Sequence, residues 1–301
     1  TLKVVDQSPS ARSIASAPVT ITMPDAHPAW VMSETATSAG EVTLNLVPAG
    51  RYEVVATSPN ALYGKPASQI AASLEARVID GPATVLVPLP IFDATVTLVT
   101  PSGKPIVGAN VAVGGNSQTT DATGDAVFTS IPSGSYTVTA SWFGLNINPT
   151  APLTVTLSRT YLLTASNIAL VSVQVVGAQS QGLSGANVVI KTGSITVFNG
   201  MASSDGTVAL ELPYGTYDFH ATYKSVTGDK TAVAINADTV VQIPTGVFIE
   251  LFGQGLSFAG FALWVIAVLI VVLILVIAAQ EYNIYRRKRL PQLFGAGPAA
   301  R

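Results

Sequence analysis

Cysteine is absent from the 301 residues, which removes disulfide staples, thiolate metal sites, iron–sulfur clusters and cysteine nucleophiles together. Histidine is almost as rare: His27 and His220 are the only two. A metal centre would have to be built mainly from carboxylates, and no acidic cluster with ligand spacing is visible. Charge is scarce too, at 11% of residues against about 25% in ordinary soluble domains. Hydrophobic residues at 49% exclude intrinsic disorder. With 25 glycines and 19 prolines, turns are frequent enough to suit short strands better than long soluble helices. No G-x-S-x-G, H-E-x-x-H, Walker or dinucleotide-binding motif is present. Gly253-Gln254-Gly255, the nearest approach to the last, reads as part of a juxtamembrane linker over 249–255. The expectation is a protein that is not an enzyme and holds no cofactor or metal.

What is present begins with a long apolar run. Between Glu250 and Glu281 lie 30 consecutive uncharged residues, and 256–279 is almost wholly apolar. Its 24 residues would make a helix of about 36 Å, enough to cross a hydrocarbon core of about 30 Å. No ionisable residue lies inside it, so it reads as an anchor rather than an ion or proton path. Gly253, Gly255, Ser257 and Ala259 suggest a small-residue packing face at its outer end. Trp264 is read as an outer interfacial anchor, beside Phe258 and Phe261, with Tyr282 and Tyr285 as inner ones.

Orientation follows from the flanks. After the span, Arg286, Arg287, Lys288, Arg289 and Arg301 outweigh Glu281 for a net of +4, while residues 1–255 carry 10 basic and 16 acidic side chains, a net of −6. The positive-inside rule makes 280–301 a basic cytoplasmic tail and 1–255 extracellular, in a single-pass protein of the cell membrane. A basic run of this kind marks nucleic-acid contact in soluble proteins. Beside a membrane span, topology and anionic lipid explain it better, and nucleic acid is not expected as a partner. Thr1 opens directly on the strand-like Leu2-Lys3-Val4-Val5, so a targeting signal is expected to have been cleaved or to lie outside the sequence.

The exterior segment repeats itself. Pro48-Ala49-Gly50-Arg51-Tyr52, Pro132-Ser133-Gly134-Ser135-Tyr136 and Pro213-Tyr214-Gly215-Thr216-Tyr217 share Pro-x-Gly-x-Tyr, the tyrosines 84 and 81 residues apart. A glycine recurs upstream at Gly40, Gly124 and Gly206, and before it Ala17-Pro18-Val19, Gly108-Ala109-Asn110-Val111 and Gly185-Ala186-Asn187-Val188. Period-two strands around these turns suggest hairpin modules of about seven strands. The fold class expected is mainly β: three tandem antiparallel β-sandwiches at 1–92 (the divergent copy), 93–168 and 169–248, followed by one transmembrane α-helix. The short linkers imply a stiff rod. The insertion 66–77 is the main departure from the repeat, and it reads as a short helix or irregular strand.

Gly103-Lys104-Pro105-Ile106-Val107-Gly108-Ala109-Asn110-Val111, Thr119-Thr120-Asp121-Ala122-Thr123-Gly124 and the following Pro-x-Gly-x-Tyr turn resemble the carboxypeptidase regulatory-like, or prealbumin-like, Ig-like sandwich family. The third repeat keeps Gly185-Ala186-Asn187-Val188 and Ser204-Asp205-Gly206; the first keeps mainly the tyrosine turn. The resemblance implies a non-catalytic module repeated in surface proteins and membrane complexes, whose recurring residues shape turns. Lysine-based isopeptide locks of related surface sandwiches are not indicated, because 93–100 and 169–176 contain no lysine. Leu290-Pro291-Gln292-Leu293-Phe294 is not a sortase signal.

The remaining residues read blandly. His27 lies between Pro24 and Pro28 in a loop, and His220 is a strand residue. Asp121 and Asp205 sit in turns where carboxylates cap backbone. Trp30 and Trp142 suit packing, with sugar contact as the sharper alternative. The function expected first is a membrane-anchored structural, assembly or adhesion protein acting through protein contacts, with membrane lipid as its other partner. The alternatives are an accessory subunit docked on polytopic membrane proteins and a glycan-binding surface module.

Overall fold

Alternating apolar and polar residues put every second side chain on one face of a strand, and two such faces closed on each other make the unit of this fold. The computed structural model describes residues 1–45, 47–78 and 83–294. It is mainly β, with one long carboxy-terminal apolar helix.

The first sandwich comprises β1 (Leu2–Val5), β2 (Pro18–Met23), β3 (Trp30–Thr35), β4 (Glu41–Val42), β5 (Gly50–Thr57), β6 (Ala71–Val78) and β7 (Val85–Pro88). Its sheets run β4-β1-β7 and β3-β2-β5-β6. Val4, Val19, Ile21, Tyr52, Val54, Ile70 and Val87 meet in its core. The second comprises β8 (Ile91–Val99), β9 (Asn110–Val113), β10 (Asn116–Thr119), β11 (Asp125–Pro132), β12 (Gly134–Tyr136), β13 (Val138–Trp142), β14 (Leu145–Asn146), β15 (Leu153–Val155) and β16 (Arg159–Thr164). Sheets β11-β8-β16 and β10-β9-β13-β14, with the pair β12-β15, enclose Val96, Leu98, Val111, Phe128, Ile131, Tyr136 and Leu153.

The third has β17 (Ile168–Val176), β18 (Asn187–Thr192), β19 (Ile195–Met201), β20 (Thr207–Pro213), β21 (Gly215–Tyr223), β22 (Val226–Ile235) and β23 (Thr239–Pro244), in sheets β20-β17-β23 and β19-β18-β21-β22. Val171, Val173, Val175, Val188, Ile190, Phe219 and Val241 are buried in it. After it come β24 (Val247–Leu251), β25 (Gln254–Ser257) and α1 (Phe258–Phe294).

The chain divides into two compact units. One is Thr1–Leu170 with Glu211–Gly215 and Ala234–Asp238; the other is Val171–Leu210, Thr216–Val233 and the remainder to the carboxyl end.

The repeat holds at the level of single hydrogen bonds. The amides of Val4, Leu98 and Val175 donate to the carbonyls of Gly40, Gly124 and Gly206, and the amides of Ile14, Ile106 and Leu183 return to the carbonyls of Val4, Leu98 and Val175. Each glycine has φ between +76° and +81°, and a β-carbon there would lie 2.8 Å from the Val4 or Leu98 oxygen or 2.5 Å from the Leu183 nitrogen. Left-handed backbone and lack of space both demand glycine. The first repeat, where sequence kept least, carries the same bonds as the others.

Three features differ from expectation. The sandwiches are not antiparallel throughout: β1 pairs in parallel with β7, β8 with β16 and β17 with β23. First and last strands thus point the same way, so the chain enters one end of a sandwich and leaves at the other. The Pro-x-Gly turn does not join hairpin strands, because β11 lies in the sheet of β8 whereas β13 lies in that of β9; the turn carries the chain between sheets. The stretch 249–255 is not a linker but most of hairpin β24–β25, which also removes Gly253 and Gly255 from any helical packing face. The 66–77 insertion, by contrast, contains both expected forms, a 3₁₀ turn at Ala67–Gln69 followed by β6.

Candidate functional site

The repeated turn residues are clamps. Tyr52 donates its hydroxyl to the Pro48 carbonyl at 2.7 Å, and Tyr136 does the same to Pro132 at 2.6 Å. Both rings are buried, as is that of Tyr217. The bond back to the residue four positions earlier pins the chain where it passes between sheets, the device known as a tyrosine corner in sandwiches. Tyr161 makes a further such bond to Leu157 at 2.7 Å, one that the Pro-x-Gly-x-Tyr pattern did not mark. Burial pushes the Tyr136 phenol up to about 12, with Tyr63 adding to the shift; burial also raises Tyr52 and Tyr217. Gly50 and Gly134 leave room for side chains: a β-carbon would strike the Met23 methyl at 2.5 Å and the Lys65 ammonium at 1.9 Å respectively.

Within the first unit the two sandwiches are locked together by residues that no motif indicated. Arg12 donates through Nε to Asp6 at 2.7 Å and through a terminal nitrogen to Asp93 at 2.5 Å. Asp93 also accepts from the Ser130 amide at 3.0 Å. Burial alone would raise the Asp6 carboxyl, but hydrogen bonds from Ser8 and Arg12 outweigh it and hold the group below the usual carboxylate range. Beside this network, Tyr63 inserts between Phe128 and Tyr136, ring centroids 6.4 Å from each. Its hydroxyl reaches the Thr129 carbonyl at 2.8 Å. Lys65 donates to the Ser133 carbonyl at 2.5 Å and lies over the Tyr136 ring. Gly114 makes room, since a β-carbon there would come within 2.5 Å of the Tyr63 backbone carbonyl oxygen. These contacts come from residues just before the 66–77 insertion.

In the second unit, α1 has a 29-residue segment, Phe258–Arg286, long and apolar enough to cross a membrane, and none of its most apolar window is covered by protein. Ser257 caps its start, its hydroxyl accepting the Gly260 amide at 3.2 Å. Trp264, Tyr282 and Tyr285 are exposed along it, as is Arg286. The side chains of Arg287, Lys288 and Arg289 lie outside the described residues, as does Arg301; α1 itself continues through 287–289 without a break. The helix is fastened to β24–β25 by aromatic contact: Phe248 lies 5.3 Å from Phe258 and 5.7 Å from Phe261. The hairpin is fastened to the third sandwich in turn. Ala178 donates its amide to the Val247 carbonyl at 2.7 Å, Tyr223 its hydroxyl to Glu250 at 2.9 Å, and Lys224 pairs with Glu250. That lysine holds the Glu250 carboxyl below its ordinary value.

The isolated chemical candidates lie apart from one another, each with its own contacts. His220 lies 2.6 Å from Asp229 on an exposed strand face. Asp121 accepts the amides of Thr123 and Asp125 at 2.8 and 2.9 Å, capping its turn. Asp205 accepts the hydroxyls of Ser203 and Thr207. Backbone bonding aligns Asp121 with Ser203 rather than with Asp205, since both Asp121 and Ser203 accept from the turn glycine amide. Trp30 packs edge-on to Tyr52 at 6.0 Å, and Trp142 stacks on Phe143 while donating to the Val107 carbonyl. Among the described residues no group of three or more metal-ligating side chains comes together, and no buried side-chain nitrogen or oxygen lacks a partner.

No protein-family model matches the chain, and no curated protein matches it. Among solved structures it is similar to the Bacillus anthracis TIE protein, at 15% identity over 81% of this chain and 49% of that one, with a TM-score of 0.24. It is similar also to a streptococcal ancillary pilin, at 13% identity over 81% and 98%, TM-score 0.28. A third is the shaft pilin SpaA of Lactobacillus rhamnosus GG, at 10% identity over 53% and 100%, TM-score 0.26. The chain spans about half the length of the TIE protein. None of the three bears the carboxypeptidase regulatory-like name, and at these scores no property of theirs is carried over.

Proposed function

We propose that this chain is a membrane-anchored surface protein, structural or adhesive in role, acting through protein contacts of its β-sandwich modules. The observation that carries the reading is the division of labour among its side chains. The turn tyrosines and aspartates singled out from sequence bond within their own turns, and other polar residues join the first two sandwiches, while the uncovered surface of α1 is apolar over the length of a bilayer. The first is what an array of packed sandwiches needs; the second is what an anchor needs. Open edge strands such as β3 and β19 offer lateral pairing sites, whereas β22 is blunted by the left-handed Ala232, whose amide is taken by Asp218 at 2.8 Å. The extracellular position of the sandwiches and the carboxypeptidase regulatory-like ancestry of the repeats belong to the same proposal. The test is reconstitution of the purified full chain in vesicles at rising density, followed by electron microscopy and chemical cross-linking. Ordered arrays or a ladder of cross-linked multimers is the expected result. Chains that stay dispersed at every density would argue against assembly and turn attention to a heterologous partner.

A further inference from the structure

From the geometry of β24–β25 and α1 we infer that this hairpin is a lipid-contact foot: its tip, Phe252, lies in the outer headgroup layer at the depth of Trp264. The hydrocarbon core then begins at Trp264 rather than at the helix start. The inference rests on the anchoring reading above and adds to it a site, a depth and a register.

The chain reverses at Ser257, so the hairpin runs back down beside the first turns of the helix. Phe248 meets Phe258 and Phe261 near the hairpin base, and Phe252 meets Trp264 at the tip, ring centroids 6.1 Å apart. Phe252 is 85% exposed, the most exposed large hydrophobic side chain among the described residues. A bare phenylalanine at a turn between Leu251 and Gly253, next to an exposed tryptophan on a membrane helix, is continuous with the anchor's own lipid surface.

Two physical limits set the depth. A two-stranded hairpin has open edges, and each unsatisfied backbone group costs several kcal/mol in hydrocarbon, so β24–β25 cannot sink into the core. If the hydrocarbon began at Phe258, the hairpin would be submerged to its base. Beginning it at Trp264 leaves the hairpin in the hydrated interface, where aromatic rings are favoured. From Trp264 to Tyr282 is about 18 residues, or roughly 27 Å of helix, matching a core of about 30 Å. The apolar run read from sequence, 256–279, gives about 36 Å, which exceeds it. Charge at this level is also neutralised, since Glu250, two residues before Phe252, is paired with Lys224.

The chain has no cysteine, so single cysteines can carry spin labels without further change. Full-length chains bearing Phe252→Cys, Trp264→Cys or, as an aqueous control, Thr231→Cys would be reconstituted in phosphatidylcholine vesicles. Collisions with oxygen and with a water-soluble nickel complex then report depth. The expected result is that labels at 252 and 264 lie within two residues of helix rise, roughly 3 Å, both shielded from nickel relative to 231. A label at 252 as open to nickel as that at 231, with 264 shielded, would overturn the foot and leave the anchor standing. Failure of the chain to float with vesicles would overturn both. Because labelling removes the Phe252 ring, amide exchange on the unsubstituted chain gives an independent readout. The unpaired tip amides of Phe252 and Gly253 should exchange more slowly in vesicles than those of the turn at Gly193 and Ser194, and equal rates would contradict the inference.

Discussion

At the scale of single residues, the tyrosine turns pin the chain where it passes between sheets. Removing the hydroxyl in Tyr136→Phe leaves the buried Pro132 carbonyl without its 2.6 Å donor and should cost about 1 kcal/mol. Equilibrium unfolding of the full chain in detergent measures this; a variant as stable as the parent would show that the ring alone does the work. The same residues set an alkaline limit. Because Tyr136 keeps its proton to about 12 when folded, while an unfolded phenol releases it near 10, the unfolded chain binds fewer protons in between. Stability should be full below pH about 10 and fall between about 10 and 12. Melting temperatures across that range check it, and a flat profile would contradict the burial of these phenols. Sequence revealed these positions because the spacing recurs three times. It did not reveal the bond, because nothing in Pro-x-Gly-x-Tyr says that the chain changes sheets there.

At the scale of elements, the joint between β1–β7 and β8–β16 is the feature sequence left invisible. Arg12, Asp6, Asp93, Tyr63 and Phe128 are ordinary residues at scattered positions, brought together only by folding. Arg12→Ala removes the partner of a buried carboxylate, Asp6 being 4% exposed, and should cost about 2 kcal/mol. Equilibrium unfolding of the full chain in detergent should register that loss; an unchanged transition would mean that Tyr63 and Lys65 hold the joint alone. Acid should act on the same joint. The folded Asp6 carboxyl lies below its unfolded value, so its contribution is present above pH about 4 and lost as pH falls through the folded value. The hairpin β24–β25 escaped notice for a different reason. From Leu251 on it is uncharged and leads straight into the apolar helix, and a glycine-containing turn of that kind reads equally well as a linker.

At the scale of the whole molecule, composition carried the reading furthest. Sparse charge, frequent turns and one long apolar run specify a mainly β chain with a membrane-length helix, and these are the strongest periodic and compositional signals a sequence offers. What such signals cannot carry is the identity of whatever touches the outer surfaces, since edge strands and exposed apolar side chains record no partner. The central claim is that the sandwiches associate with one another while α1 holds them to the membrane. It is tested most directly by extracting the native protein in mild detergent, sizing the particle and identifying its components by mass spectrometry. A particle containing several copies of this chain and no other protein in fixed ratio is the predicted result. Recovery in fixed stoichiometry with multi-span enzyme or transporter subunits would contradict it.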